Sequence, residues 1–154
     1  MPHARTQPGI QPKETHMRAT VAIIICLIFW STIASGQVTV IVNPAVPLDS
    51  LDQSELLDLY SGEKTFWSNH TPVVIFDLKP VGATRDQFYQ MLNISPSRVK
   101  SIWLKRMLSG DADPPEYLPD DEEMLRKVAE TPGAIGFVDS TKVSGDVKVV
   151  MVRR

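Results

Sequence analysis

Cysteine is nearly absent from this chain. The single residue, Cys26, excludes an internal disulfide and any multi-cysteine metal or redox motif. Histidine is also scarce. His3, His16 and His70 lack the spacing of zinc ligands, and His70 reads as a solvated loop residue. Positive charge is not in excess, with 16 Lys and Arg against 18 Asp and Glu for a net charge of −2. That balance argues against nucleic acid, which selects a basic and patchy surface, and against anionic lipid. Ser109, Ser140 and Thr141 have no His–carboxylate partner nearby in sequence, and no G-x-S-x-G elbow is present. No enzyme activity and no cofactor are therefore expected.

Long apolar runs are limited to one. Residues 19–33, about 15 in number, fall short of the roughly 20 that a spanning helix needs. The run follows the basic Met17-Arg18 and ends at Ala34-Ser35-Gly36, the layout of a secretory signal peptide cleaved before Gln37. The organisation expected is a leader and signal peptide over 1–36 and one domain over 37–154, periplasmic or secreted, with no membrane insertion after cleavage. An uncleaved anchor is the alternative. The stretch before Met17 is polar and holds Pro2, Pro8 and Pro12, so either Met1 or Met17 can be the start. Cleavage removes Cys26 together with Arg5, Lys13, Arg18 and Glu14, and leaves the domain more acidic than the whole.

Alternating and β-branched residues predict a first strand over 37–42, ended by Asn43-Pro44. Ser50 with Gln53 has the spacing of a helix capping box, and Gly62 marks that helix's end. An aromatic loop, Phe66-Trp67-Ser68-Asn69-His70, precedes a second strand over 73–76. Helices are predicted over 84–92, with Phe88, Met91 and Leu92 inward, and over 96–108. The latter is capped by Ser95, with Val99, Ile102, Trp103 and Met107 at core spacing. Residues 111–116 contain Pro114-Pro115 and read as a loop. Asp120 with Glu123 caps a helix to Glu130 that buries Met124, Leu125 and Val128. Thr131-Pro132-Gly133 breaks it, and strands follow over 134–138 and 147–152. Strands alternating with helices predict a three-layer α/β/α sandwich whose sheet is largely parallel, with an antiparallel strand at its edge. The prolines break calcium-loop spacing in the acidic run from Asp111 to Glu123, which reads as solvated loop plus cap. Trp67 and Trp103 read as core, with Trp67 the better placed to touch a partner.

The segment with the most chemistry is Asp77-Leu78-Lys79-Pro80-Val81-Gly82-Ala83-Thr84-Arg85-Asp86-Gln87-Phe88. An apolar strand, a small-residue turn and a helix start make a ready anion site, because free amides and the helix dipole converge there. Gly82, Ala83, Thr84 and Arg85 are the candidate ligand-binding residues, and Arg85 adds a planar fork of donors suited to an oxyanion. The competing reading is a Thr84–Gln87 capping box that satisfies the same amides internally.

Four segments, in order, resemble the phosphate-binding proteins of ABC transporters. They are Leu48-Asp49-Ser50-Leu51, read as a helix start leading to Leu59-Tyr60-Ser61-Gly62-Glu63-Lys64-Thr65-Phe66-Trp67, then Gly82-Ala83-Thr84-Arg85-Asp86-Gln87-Phe88, then Trp103, and last Thr131-Pro132-Gly133-Ala134-Ile135-Gly136-Phe137-Val138. The second is similar to the family's Ser-Gly-Thr-Arg anion loop and the last to its P-G-A-I-G-Y-V. The resemblance runs from about Val38 to Val152. It implies one lobe of a periplasmic binding protein and phosphate or a similar oxyanion as ligand. Gly82 replaces the family's serine, with loss of a hydroxyl donor, and Ala83 replaces its glycine, a costly change only if positive φ is needed there. One lobe cannot close over a ligand, so weak binding is implied, along with a second lobe or another envelope protein as partner. The alternative function is an interaction or scaffold module that has lost anion binding.

Overall fold

The computed structural model describes residues 36–79, 81–111 and 113–154. The expected leader and signal peptide, apart from its last residue Gly36, lie outside the described residues. Val38–Val42 is a run of β-branched side chains, stiff at χ1 and suited to a pleated surface, and it forms β1. In chain order there follow β2 (Ser50–Asp52), α1 (Gln53–Tyr60), β3 (Val74–Leu78), α2 (Ala83–Met91) and α3 (Pro96–Ser109). Then come β4 (Glu116–Leu118), α4 (Asp121–Glu130), β5 (Ala134–Asp139), a 3₁₀ turn (Ser140–Lys142) and β6 (Lys148–Arg153).

The six strands form one sheet in the order β2-β6-β1-β5-β3-β4. β1 runs antiparallel to β5 and β6, whereas the pairs β2–β6, β5–β3 and β3–β4 are parallel. The sheet is therefore largely parallel as expected, but its antiparallel strand lies inside it and not at its edge. The alternation of strands and helices carries strand order only weakly. β1 is inserted between two strands from the far end of the chain, and nothing local in its sequence marks that.

Both faces of the sheet are covered. Gly136 and Phe137 are neighbours on β5 and so face opposite ways. Phe137 stacks on Phe88 of α2, with ring centroids 3.9 Å apart and planes within 6°. Tyr60 at the end of α1 meets Phe88 at 4.6 Å on that side, and Trp103 of α3 donates its indole N–H to the Tyr60 carbonyl at 2.8 Å. Gly136 instead lies under α4, where a Cβ would come within 2.4 Å of Met124 Sδ. The result is an α/β/α sandwich with α1, α2 and α3 on one side and α4 on the other. Residues 40–42 of β1 and 134–138 of β5 are buried throughout, the signature of strands covered on both faces.

Tertiary context overrode the local signals in three places. Ser50 does not cap a helix: Ser50–Asp52 pairs with β6, and α1 starts only after Asp52, whose capping box uses Glu55. The edge of β6 supplies backbone partners there, and Leu51 is buried by the pairing. Glu116–Leu118, expected as loop, adds a strand to β3 with Leu118 inward. Trp67 is core, as expected, and its indole N–H goes to the Gly133 carbonyl at 2.8 Å, so it fastens its loop and is not offered to a partner. Met107 of α3 is exposed, because only Val99 and Trp103 of that helix are fully inward.

Candidate functional site

β3 extends two residues past its expected end and carries Asp77 to the brink of the turn before α2. α2 begins two residues earlier than the capping-box reading requires. Its N-cap is Gly82, in extended conformation at φ −178° and ψ 169°, with no side chain to accept the first-turn amides. Thr84 is the second helical residue and caps nothing, and Gln87 accepts a hydrogen bond from the Val38 N–H at 3.2 Å. The Thr84–Gln87 capping box is thus replaced by an uncapped glycine start. Among the described residues the amides at Ala83, Thr84 and Arg85 have no side-chain acceptor, the condition under which a helix start attracts an anion.

The two departures in the loop also acquire a physical meaning. Non-glycine residues at positive φ, among the described residues, are His70 and Asn93, so Ala83 sits in the helix without backbone strain. A side chain at position 82 would meet no atom within 4 Å. The missing hydroxyl is a matter of the residue there and not of space.

Arg85 projects from the first turn of α2 onto Asp77. Its Nε and Nη2 donate to the two carboxylate oxygens at 3.1 and 2.8 Å, a fork-to-fork pair. Asp77 is 1% exposed and takes two more donors, the Tyr89 hydroxyl at 2.8 Å and the Leu78 N–H at 2.7 Å. Four donors satisfy a carboxylate that burial alone would penalise heavily. The Tyr89 ring also lies 4.9 Å beneath the guanidinium carbon. Burial works against the charge of Arg85, but the hydrogen bonds and charge of Asp77 outweigh it and hold its pKa above the ordinary value. Burial, then the charge of Asp77, pushes the Tyr89 hydroxyl well above its usual range, and the same two causes raise Tyr117 nearby. Both phenols remain donors at physiological pH. Arg85 is therefore held at a fixed angle, with its Nη1 edge left unpartnered among the described residues.

The four candidate ligand residues do come together. Gly82, Ala83, Thr84 and Arg85 line one cavity of about 200 Å³, closed on its other side by Leu78, Pro119, Asp120 and Asp121. Two carboxylates thus face the anion loop. Asp120 caps α4 through the Glu123 N–H at 2.9 Å. Asp121 is buried and paired through Oδ2 with Lys142 at 2.7 Å, while its Oδ1 has no hydrogen-bond partner among the described residues. The sequence reading placed these acids correctly at a helix start and missed that this start faces the loop. Asp77 and Tyr89 were also missed. Their signals were present, in an acid within an otherwise apolar strand and in a tyrosine four residues after Arg85, one turn away on the same helix face. Among the described residues no group of three or more His, Cys, Asp or Glu is placed to hold a metal ion.

No family model and no curated protein matches the chain. Solved structures do. A structure assigned as a phosphate ABC transporter substrate-binding protein with bound phosphate, from Clostridium perfringens, matches with a TM-score of 0.63 at 18% identity, over 75% of this chain and 44% of its own. An ABC-type phosphate transport receptor from Vibrio cholerae matches with a TM-score of 0.60 at 19% identity, over 75% of this chain and 46% of its own. A candidate phosphate-binding protein from Planctomyces limnophilus gives 0.55 at 18% identity, over 76% and 41%. The chain thus has the fold of a single lobe of these proteins and spans less than half of their length.

Proposed function

We propose that the domain binds an oxyanion of the phosphate class, weakly when alone, at Gly82, Ala83, Thr84 and Arg85. In this reading it is a binding protein and not an enzyme, works outside the cytoplasm, and meets its ligand in company with a second lobe or an envelope partner. The observation that carries the proposal is the start of α2. Its N-cap has no side chain, and beside its open amides Arg85 is locked by Asp77 with one guanidinium edge free. The fold shared with phosphate-binding structures supports the same ligand class.

Simple truncation of Arg85 would leave Asp77 buried without its counter-ion, so the test uses two milder variants. Ala83→Pro deletes one amide at the first helical position, where proline is tolerated, and extended Gly82 suits the residue before a proline. Arg85→Lys retains the charge and loses the fork. Calorimetric titration with phosphate, with sulfate as control, should show each variant weakened about tenfold or more, the scale of one charge-assisted hydrogen bond. Undiminished binding in both variants would remove the loop from the site.

A second reading has its own observation. Asp120 and Asp121 line the loop's cavity and oppose an anion there, as expected of a lobe kept as an interaction scaffold. A folded protein that gives no heat with phosphate but is retained by an envelope protein would favour it.

A further inference from the structure

Arg85 lines two cavities of opposite electrostatic character. On the α4 side is the loop cavity, which it shares with Asp120 and Asp121. On the other side lies a larger open groove of about 540 Å³, lined by Lys79, Arg85, Pro96, Ser97, Lys100 and Tyr117, with no carboxylate among them. The Arg85 charge is balanced by Asp77 in both views. Lys142 likewise balances Asp121, so the loop cavity is left with the negative charge of Asp120 on its wall, and the groove with the two positive charges of Lys79 and Lys100. Neither lysine has a salt bridge among the described residues. Cavity walls lie well inside the roughly 8 Å screening length at physiological salt, so this difference in sign reaches the ligand.

We propose that the groove on the outer side of Arg85 extends the oxyanion site at the start of α2, with Arg85 shared between the two, and that the ligand is a phosphorylated organic molecule. The proposal rests on the reading of the chain as an oxyanion-binding domain, and it names the ligand class and the residues that hold it. Lys79 and Lys100 meet the phosphate as point charges, and the Ser97 hydroxyl and Tyr117 phenol are further donors on the same wall. The volume exceeds what a bare oxyanion fills and falls in the range of small-molecule sites. Tyr117, 43% exposed, and Pro96 give the groove an apolar surface for a carbon skeleton. Lys79 and Lys100 are both exposed, so replacing them should leave the fold intact.

The test is calorimetry at low salt with inorganic phosphate and phenyl phosphate, on the full chain, the Lys79→Ala/Lys100→Ala double variant and Ala83→Pro. Phenyl phosphate should bind several-fold tighter than inorganic phosphate, and the double variant should lose about tenfold or more for both, since each lysine at contact distance contributes roughly fivefold. Equal affinity for the two ligands would overturn the organic-phosphate assignment. Binding untouched in the double variant but weakened in Ala83→Pro would overturn the groove and leave the loop site standing. Silence of the unaltered chain toward both ligands would overturn the oxyanion reading itself, and the groove with it.

Discussion

A carboxylate buried at the end of a strand is tolerable only if its lone pairs find donors, and Asp77 finds four. Two come from Arg85, one from Tyr89 and one from the Leu78 amide. This arrangement, more than the loop sequence, decides what Arg85 can do. The guanidinium is no freely swinging ligand group but a fixed wall between two cavities. Asp77→Ala should remove that constraint and strand a half-buried cation and a buried phenol. The expected loss is about 2–4 kcal/mol of stability, the scale for breaking one side of a buried, hydrogen-bonded pair. Urea unfolding followed by circular dichroism measures it. A loss below about 1 kcal/mol would mean that Arg85 finds solvent easily and that the pair does not hold the site. In sequence this showed only as an acid beside an apolar strand and a tyrosine one turn after Arg85, and the pairing itself was not legible, because a residue's donors come from elements that only folding brings together.

At the scale of elements, the clearest local signals were those that break a helix. Ser95-Pro96 opens α3 and Gly110 closes it in the left-handed region at φ 76°. Asp120 caps α4. Thr131-Pro132-Gly133 separates α4 from β5, and the structure gives that break a second function. Gly133 sits at φ 79°, its carbonyl accepts both the Trp67 indole N–H and the Val74 amide, and a Cβ there would lie 2.2 Å from the Pro72 carbonyl oxygen. Gly133→Ala therefore faces backbone strain and a backbone clash at once. It should cost more than about 2 kcal/mol, beyond the usual penalty for alanine at positive φ. A thermal melt reads the loss, and a red shift of tryptophan fluorescence would show Trp67 released from its carbonyl. If the melt is unchanged, the 66–72 loop moves more freely than its hydrogen bonds suggest. The short strands β2 and β4 left no comparable trace. Three residues are too few to show a period of two, and both strands exist because a sheet edge was waiting for them.

At the scale of the whole chain, the order of strands and helices was legible because each long element satisfies its own pattern. Residues 40–42 and 134–138 carry no polar side chain and are buried throughout, as strands covered on both sides must be. The direction of β1 was not legible. Its place between β5 and β6 is a long-range pairing, with Val40 opposite both Phe137 and Val150. Such pairings join the two ends of residues 36–154 into a single sheet, with its core cluster drawn from Val40 through Val150. That closure leads to a further prediction. Residues 36–154 form one compact unit, long enough to bury a core without disulfides or metal, so a protein beginning at residue 36 should fold by itself. It should unfold in urea in one transition, with coincident circular dichroism and tryptophan fluorescence and an m value of roughly 1–1.5 kcal/mol/M. Because β1 and β6 are paired in the interior of the sheet, removing β6 (Lys148–Arg153) should abolish that transition altogether and not merely shift it. A truncated protein that still melts cooperatively would mean that β5 and β3 hold a core of their own, and that the first and last strands are an addition to the fold and not its closure.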